Sequence, residues 1–245
     1  MYNYKLILQY DGGRYKGWQK LGNSDNTIQG KLSGVLSEYA GEETEVIGCS
    51  RTDAGVHALE QVANVKLKKQ VEPSELMEYL NHYLPKDISV IATEAVPEGF
   101  HARYLAKRKT YLYQIWNREY SNPFRRKYSM HVPEPLQIDR MKEAAAYFIG
   151  MHDFTAFSNA KGTKKSTVRT IYSIELKAEE GMILLRICGD GFLYNMVRKM
   201  VGVLIEIGLD RLPAGIVPEL IAERDRSRIR VLAEACGLFL EKIEY

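Results

Sequence analysis

Two hydrophobic rhythms alternate through the first hundred residues, and their order is the strongest constraint on the fold. Tyr4 to Tyr10 alternates, with Tyr4, Leu6, Leu8 and Tyr10 on one side, the period-two pattern of a strand with one buried face. Thr27 then caps a stretch in which Ile28, Leu32, Val35, Leu36 and Tyr39 recur at helical spacing, closed by Gly41. Two β-like runs follow, Thr44 to Ile47 and Gln61 to Leu67. Pro73 opens a second helical stretch (Leu76, Leu80, Tyr83, Leu84) that Pro85 stops, and Ile88 to Val96 reads as one more strand. The order β-α-β-β-α-β is that of the ferredoxin-like unit, an antiparallel sheet with helices on one face.

The rest of the chain has the same mixed character. Asp139 starts a helix carrying Met141, Ala144, Ala145, Phe148 and Ile149, ended by Gly150. Thr170 to Leu176 and Met182 to Cys188 form a hairpin around Glu179-Glu180-Gly181. From Met196 to Ile207 apolar residues occupy more than half of a helical wheel, so that helix is expected to be mostly buried. Pro213 opens a last helix, and Gly237 to Tyr245 is a closing strand. The expectation is an α+β chain of two ferredoxin-like (βαββαβ-type) halves with antiparallel sheets and an active cleft between them. The halves are placed at residues 1–103 and 104–245.

Composition narrows the chemistry. At 245 residues with 27% charged, the chain can bury a real core. Its net charge is only +3, so any affinity for nucleic acid has to come from local basic patches. Cys49, Cys188 and Cys236 lie far apart with no C-x-x-C, which signals neither a disulfide framework nor a zinc site. No apolar run reaches membrane-spanning length and no signal-peptide pattern precedes the first strand, so a reduced, cytoplasmic protein is expected.

Four stretches carry candidate chemistry. Gly48 to Val62 is a polar, glycine-bracketed loop between two β-like runs, with Arg51 and Asp53 two apart. On an extended backbone both would lie on one side, and the arginine would favour the ionised carboxylate. Asp11 to Gln19 combines glycines with Arg14, Lys16 and Trp18, a composition suited to backbone approach and stacking on RNA or, equally, to a tight turn over a core tryptophan. Gly99 to Tyr113 is densely basic (Arg103, Lys107, Arg108, Lys109) and runs into a strand with Tyr111 and Tyr113 on one face, Tyr113 reading as core. Further cations stand at Arg125, Arg126 and Lys127 and at Lys161, Lys164, Lys165 and Arg169. Finally, Gly189-Asp190-Gly191 lacks the third glycine of a dinucleotide loop, Tyr194 standing where it would be. Arg198 sits near Asn195 on the border of the buried helical arc, where a cation needs an anionic partner. That partner is either a structural carboxylate or Asp53.

Arg51-Thr52-Asp53-Ala54-Gly55-Val56-His57-Ala58 closely resembles the signature loop of the TruA family of tRNA pseudouridine synthases. The resemblance continues through the Asp11 loop, Thr27-Ile28-Gln29-Gly30, the basic tract before Tyr111, His152 to Phe157, and Gly191-Phe-Leu-Tyr-Asn-Met-Val-Arg198. It implies an isomerase that converts uridine to pseudouridine in the anticodon stem-loop of tRNA, working as a homodimer without metal or cofactor. It implies Asp53 as the catalytic carboxylate, Tyr111 stacked on the flipped uracil, and Arg198 in contact with the aspartate. Arg51, His57, Arg14, Trp18, Arg103, Lys107, Arg108, Lys109, Lys164, Lys165 and Asn195 are the candidate RNA contacts. Ser50 and Glu60 stand where members commonly have glycine, and Arg226 to Cys236 lacks a proline-containing form seen in many relatives. These departures bear on the choice of tRNA and of target position.

Two other classes compete. A non-catalytic RNA-binding module or tRNA chaperone would use the same basic patches without needing Asp53, Tyr111 and Arg198 together. A metal-dependent nuclease wants clustered carboxylates, and the signature loop offers one.

Overall fold

A computed structural model describes residues 1–159 and 166–245 of the chain. Lys164 and Lys165 lie outside the described residues. The chain forms two compact units, Met1–Lys107 with Phe239–Tyr245, and Arg108–Leu238.

The first unit contains β1 (Tyr2–Tyr10), α1 (Ile28–Ala40), β2 (Val46–Gly48), β3 (His57–Leu67), α2 (Pro73–Tyr83) and β4 (Ile88–Val96). β1 is central and antiparallel to both β3 and β4, and β2 lies antiparallel on the far edge of β3. The spatial order β4-β1-β3-β2 is that of the ferredoxin-like unit the patterns predict. The alternation of β1 is the reason one face is closed: Tyr4, Leu6, Leu8 and Tyr10 are all buried. Against that face lie Ile28, Leu32 and Leu36 of α1 and Leu76 and Leu80 of α2, also buried. Thr27 Oγ1 accepts the Gly30 N–H (3.1 Å) and caps α1, which Gly41 ends at φ 71°.

β3 begins at His57, four residues before the expected Gln61. The extension has partners on both sides: Ala58 pairs with Tyr10 of β1, and His57 and Ala58 pair in parallel with Phe239 and Leu240. Tyr83, expected in the apolar stripe of α2, is exposed and lies against the Tyr79 ring instead.

The second unit holds β5 (Arg108–Trp116), β6 (Met130–His131), α3 (Ile138–Ala146), β7 (Gly150–Asp153), β8 (Val168–Glu179), β9 (Met182–Gly189), α4 (Met196–Gly208) and α5 (Ile216–Glu223). Its strands run in the order β5-β9-β8-β7, all antiparallel, with β6 alongside the end of β5. The β8–β9 hairpin turns on Glu180 (φ 49°) and Gly181 (φ 86°). Two successive left-handed residues make the two-residue turn whose twist matches a hairpin. α3 gives way after Ala146 to a tighter turn, in which Tyr147, Phe148 and Ile149 donate to carbonyls three residues back. Ile149 is consequently exposed rather than in the core. α4 is buried over most of its length, as its wheel requires. The last strand, β10 (Leu238–Glu244), returns to the first unit beside β3, although its position in the chain groups it with the second.

Candidate active site

The signature loop between β2 and β3 is tied down by groups from four directions. At its start the Cys49 N–H donates to the Val62 carbonyl (2.8 Å). Gln61 brackets Ser50, accepting its N–H (3.1 Å) and donating to its carbonyl (2.7 Å). The Tyr10 phenol is 2.8 Å from the Thr52 hydroxyl, and the Trp18 N–H donates to the Thr52 carbonyl (3.0 Å). Burial of the Tyr10 phenol raises its pKa well above the ordinary value. Asp53 comes next. Its carbonyl accepts the Val56 N–H (3.2 Å), a turn closed through Gly55 at φ 79°. The half-buried Asp53 therefore sits on backbone held before and after it.

The glycine-rich segment 11–19 is the cradle of this loop. A Cβ at Gly12 would run into the Val56 carbonyl oxygen. Gly17, at φ +92°, lies so close to the loop that a Cβ would come within 2.7 Å of the Thr52 carbonyl oxygen. The glycines thus serve approach to the protein's own backbone. Trp18, expected as an RNA contact, is 1% exposed, lying flat against the Gly48 backbone and beside Tyr10, so no base can stack on it. His57, expected at the substrate, is also 1% exposed: its ring stacks on Phe239 (4.7 Å) and its Nδ1 accepts the Gly12 N–H (3.1 Å). Both are corrected to supports of the loop. The glycine spacing shows that close approach is needed without showing to what.

Arg14 is exposed but bound to the Asp87 carboxylate, which the Tyr15 phenol also meets at 2.6 Å. Arg51 is exposed beside Asp53 in the chain. Arg103 and Lys107 are exposed at the end of the first unit, where the Lys107 N–H is fixed on the Glu244 carbonyl (2.8 Å). In the second unit Arg108 is exposed with its guanidinium over the Tyr172 ring (5.0 Å), and Lys109 is half-buried.

Tyr111 lies in β5 opposite Ile187 of β9. It is buried, with the Phe192 ring edge-on to it (5.1 Å, 83°). Tyr113 is fully buried, as its sequence setting predicts. Phe192 is carried by the link from β9 to α4, where Asp190 and Thr170 exchange two hydrogen bonds (each 3.0 Å). Asn195, at φ 62°, begins α4 and accepts the Lys199 N–H (3.0 Å).

Arg198, in the first turn of α4, is clasped by a segment from which no candidate site residue was drawn. Its Nε donates to the Ala233 carbonyl (2.7 Å), and the Ala233 N–H donates back to the Arg198 carbonyl (3.1 Å). The next carbonyl, of Glu234, accepts the Tyr113 phenol (2.8 Å). Burial pushes that phenol far above its ordinary pKa, so it stays a donor. Residues 231–237 thus form a strap along α4 and β5. Backbone carbonyls leave no trace in a sequence; the one available signal was a polar tyrosine at a core position. Lys199 was also missed. It is 4% exposed, its Nζ 3.3 Å from the Ala156 carbonyl, and burial with nearby Arg226 lowers its pKa.

The first unit is a ferredoxin-like fold that carries Asp53 on a loop held from several sides, and the second unit carries Arg198 held by the Ala233 carbonyl. The family profile described as tRNA pseudouridine synthase matches residues 6–105 and 144–245. Over all 245 residues of both chains, the sequence is 58% identical to tRNA pseudouridine synthase A 2 of Bacillus cereus. At the same coverage it is 43% identical to tRNA pseudouridine synthase A of a Thermoanaerobacter species. The chain belongs to the tRNA pseudouridine synthase family.

Proposed function

We propose that this chain isomerises uridine to pseudouridine in the anticodon stem-loop of tRNA, with Asp53 as its nucleophile or proton acceptor. The N1–C1′ glycosidic bond breaks, the uracil turns, and a C5–C1′ bond forms. C5 gives up its proton, N1 gains one, and no electrons change hands. The reaction needs an ionised carboxylate held still next to a base removed from its stack. The observation that carries the reading is the over-determined loop around Asp53. Bonds from Tyr10, Trp18, Gln61 and Val56 leave its backbone little freedom.

Tyr111 and Arg198 are proposed as the other catalytic residues. Tyr111 offers a ring fixed by Phe192, and Arg198 a guanidinium aimed by Ala233. Arg51, Arg103, Lys107, Arg108 and Lys109 are proposed phosphate contacts, with Arg14 a weaker one because Asp87 already neutralises it. Asn195 and the homodimer stay proposals from the family resemblance, Lys164 and Lys165 stay proposed contacts from the charge of their segment, and the cytoplasmic location stays a proposal from the composition.

The test is tritium release from 5-tritiated uridine tRNA, with filter binding of the same protein. Asp53→Asn keeps the size of the side chain and removes its charge, so release should fall by at least about 10⁴-fold while tRNA is still bound. Normal release in this variant would overturn the assignment of Asp53. A wild-type chain that binds tRNA and releases nothing would be an RNA-binding module.

A further inference from the structure

The basic residues at 125–127 are not part of the site built above, yet they belong to one of the more firmly fastened loops of the second unit. The Trp116 indole donates to the Tyr120 carbonyl (2.8 Å). Asn122 accepts the Phe124 N–H on its side chain (2.9 Å) and the Arg125 and Arg126 N–H groups on its carbonyl (3.0 and 3.1 Å). The Arg125 carbonyl accepts from the Tyr128 N–H (2.9 Å) and the Ser129 hydroxyl (3.0 Å).

So fixed a backbone would ordinarily turn its aromatic rings inward. Here it turns them out. Pro123 to Tyr128 are all exposed, with Phe124 at 93% and Tyr120 at 76%. Among residues 118–128 the charges are Arg118, Arg125, Arg126 and Lys127 against Glu119 alone. That surplus is as large as the +3 of the whole chain. A rigid, solvent-facing ring flanked by cations is the equipment of a platform on which an unpaired base stacks while its phosphates are held.

We propose that residues 118–128 form a second RNA-contacting surface, with Phe124 stacking on an unpaired base and Arg126 and Lys127 holding the flanking phosphates. Arg125, its guanidinium 5.8 Å over the Trp116 ring, stiffens the turn. The proposal rests on the tRNA reading above. It concerns a different nucleotide from the one that reacts: Trp116 is five residues beyond Tyr111 along β5, roughly 17 Å at the usual strand rise. Charge decides for RNA over a second copy of the chain, which would bring the same cations to the contact.

Stacking and charge can be measured separately. Filter binding of a full-length tRNA transcript is followed across a salt series for Phe124→Ala, Phe124→Trp and the double variant Arg126→Ala/Lys127→Ala. Phe124→Ala should weaken binding about 5- to 100-fold with the salt slope unchanged, and Phe124→Trp should hold wild-type affinity. The double variant should lower the log–log salt slope by between about one and two. Wild-type affinity and slope in both alanine variants would overturn the proposal. So would sedimentation showing altered self-association with RNA affinity intact, which would give the surface to a second copy. Failure of the isomerase reading would look different: wild-type protein would release no tritium while these binding changes stood.

Discussion

The loop that carries Asp53 and the helix that carries Arg198 are positioned by opposite means. Around Asp53, side chains on neighbouring strands do the holding: Tyr10 on Thr52, Gln61 on both sides of Ser50, and two glycines that let segment 11–19 press against the loop. Around Arg198, backbone does it. The guanidinium reaches a carbonyl 35 residues further on, and that carbonyl's strap is pinned by Tyr113 through the next one. The first arrangement is spread over several side chains; in the second, the bonds to the strap pass through two adjacent carbonyls. A restraint lost should therefore cost more function in the second unit than in the first, unless the loss in the first is steric.

Arg198→Met gives the largest effect among changes outside Asp53. With the guanidinium gone, turnover should fall about 10²–10³-fold, as when one preorganised charge-stabilising donor is removed. Stability should fall by only about 1–3 kcal/mol, from the Ala233 carbonyl left without its donor, so the chain stays folded. Arg198→Lys should recover only part, because an ammonium is a point charge without the planar fork that the Ala233 carbonyl aims. Near-normal tritium release from the Met variant would remove Arg198 from the proposed machinery.

Gly12→Ala is the steric exception. Its new methyl meets the Val56 carbonyl, a backbone group that yields only if the turn after Asp53 moves. We expect a loss of about 3 kcal/mol or more in urea unfolding, and roughly 10²-fold in turnover from a carboxylate displaced by about an ångström. Wild-type values in both measurements would mean that the cradle is softer than its contacts imply.

The same contrast explains how much the sequence disclosed. The ferredoxin-like order of the first unit was legible because β1, α1, α2 and β4 each bury one face, and a buried face writes its period into the residues. The signature loop was legible as a motif because its holders are side chains with distinctive chemistry. The direction in which those side chains point was not: Trp18 and His57 carry polar or aromatic groups that suit RNA and a packed interior equally well, and packing took them. The strap was illegible, since a carbonyl of Ala233 reads like any other. The placement of β10 was hidden too, because a parallel partner such as β3 can lie anywhere in the chain.

Two buried phenols allow a matched comparison of the regions. Tyr113→Phe leaves the Glu234 carbonyl without its donor and loosens the strap, so turnover should drop about tenfold, with unfolding cost of about 1–3 kcal/mol and tRNA affinity unchanged. Tyr10→Phe removes one restraint among several on the Asp53 loop and should cost about 1 kcal/mol, with turnover within a few-fold of wild type. Equal losses of turnover in the two variants would break the comparison drawn above.

The smallest effect is expected at Ser50, one of the departures from the family pattern. The residue is 5% exposed, and its backbone is satisfied on both sides by Gln61. Among the described residues its hydroxyl oxygen is buried without a hydrogen-bond partner. A hydroxyl in that position contributes desolvation and no bond, so deleting it removes a cost while the loop keeps its other restraints. Ser50→Ala should leave tritium release unchanged and raise the unfolding free energy by up to about 1 kcal/mol, read as a higher urea midpoint at constant slope. Ser50→Gly should do less well than alanine, because it returns chain entropy to the unfolded state. If Ser50→Ala instead lowered turnover, the hydroxyl would have a partner in the RNA-bound state, and the restraint on the Asp53 loop would be completed by substrate.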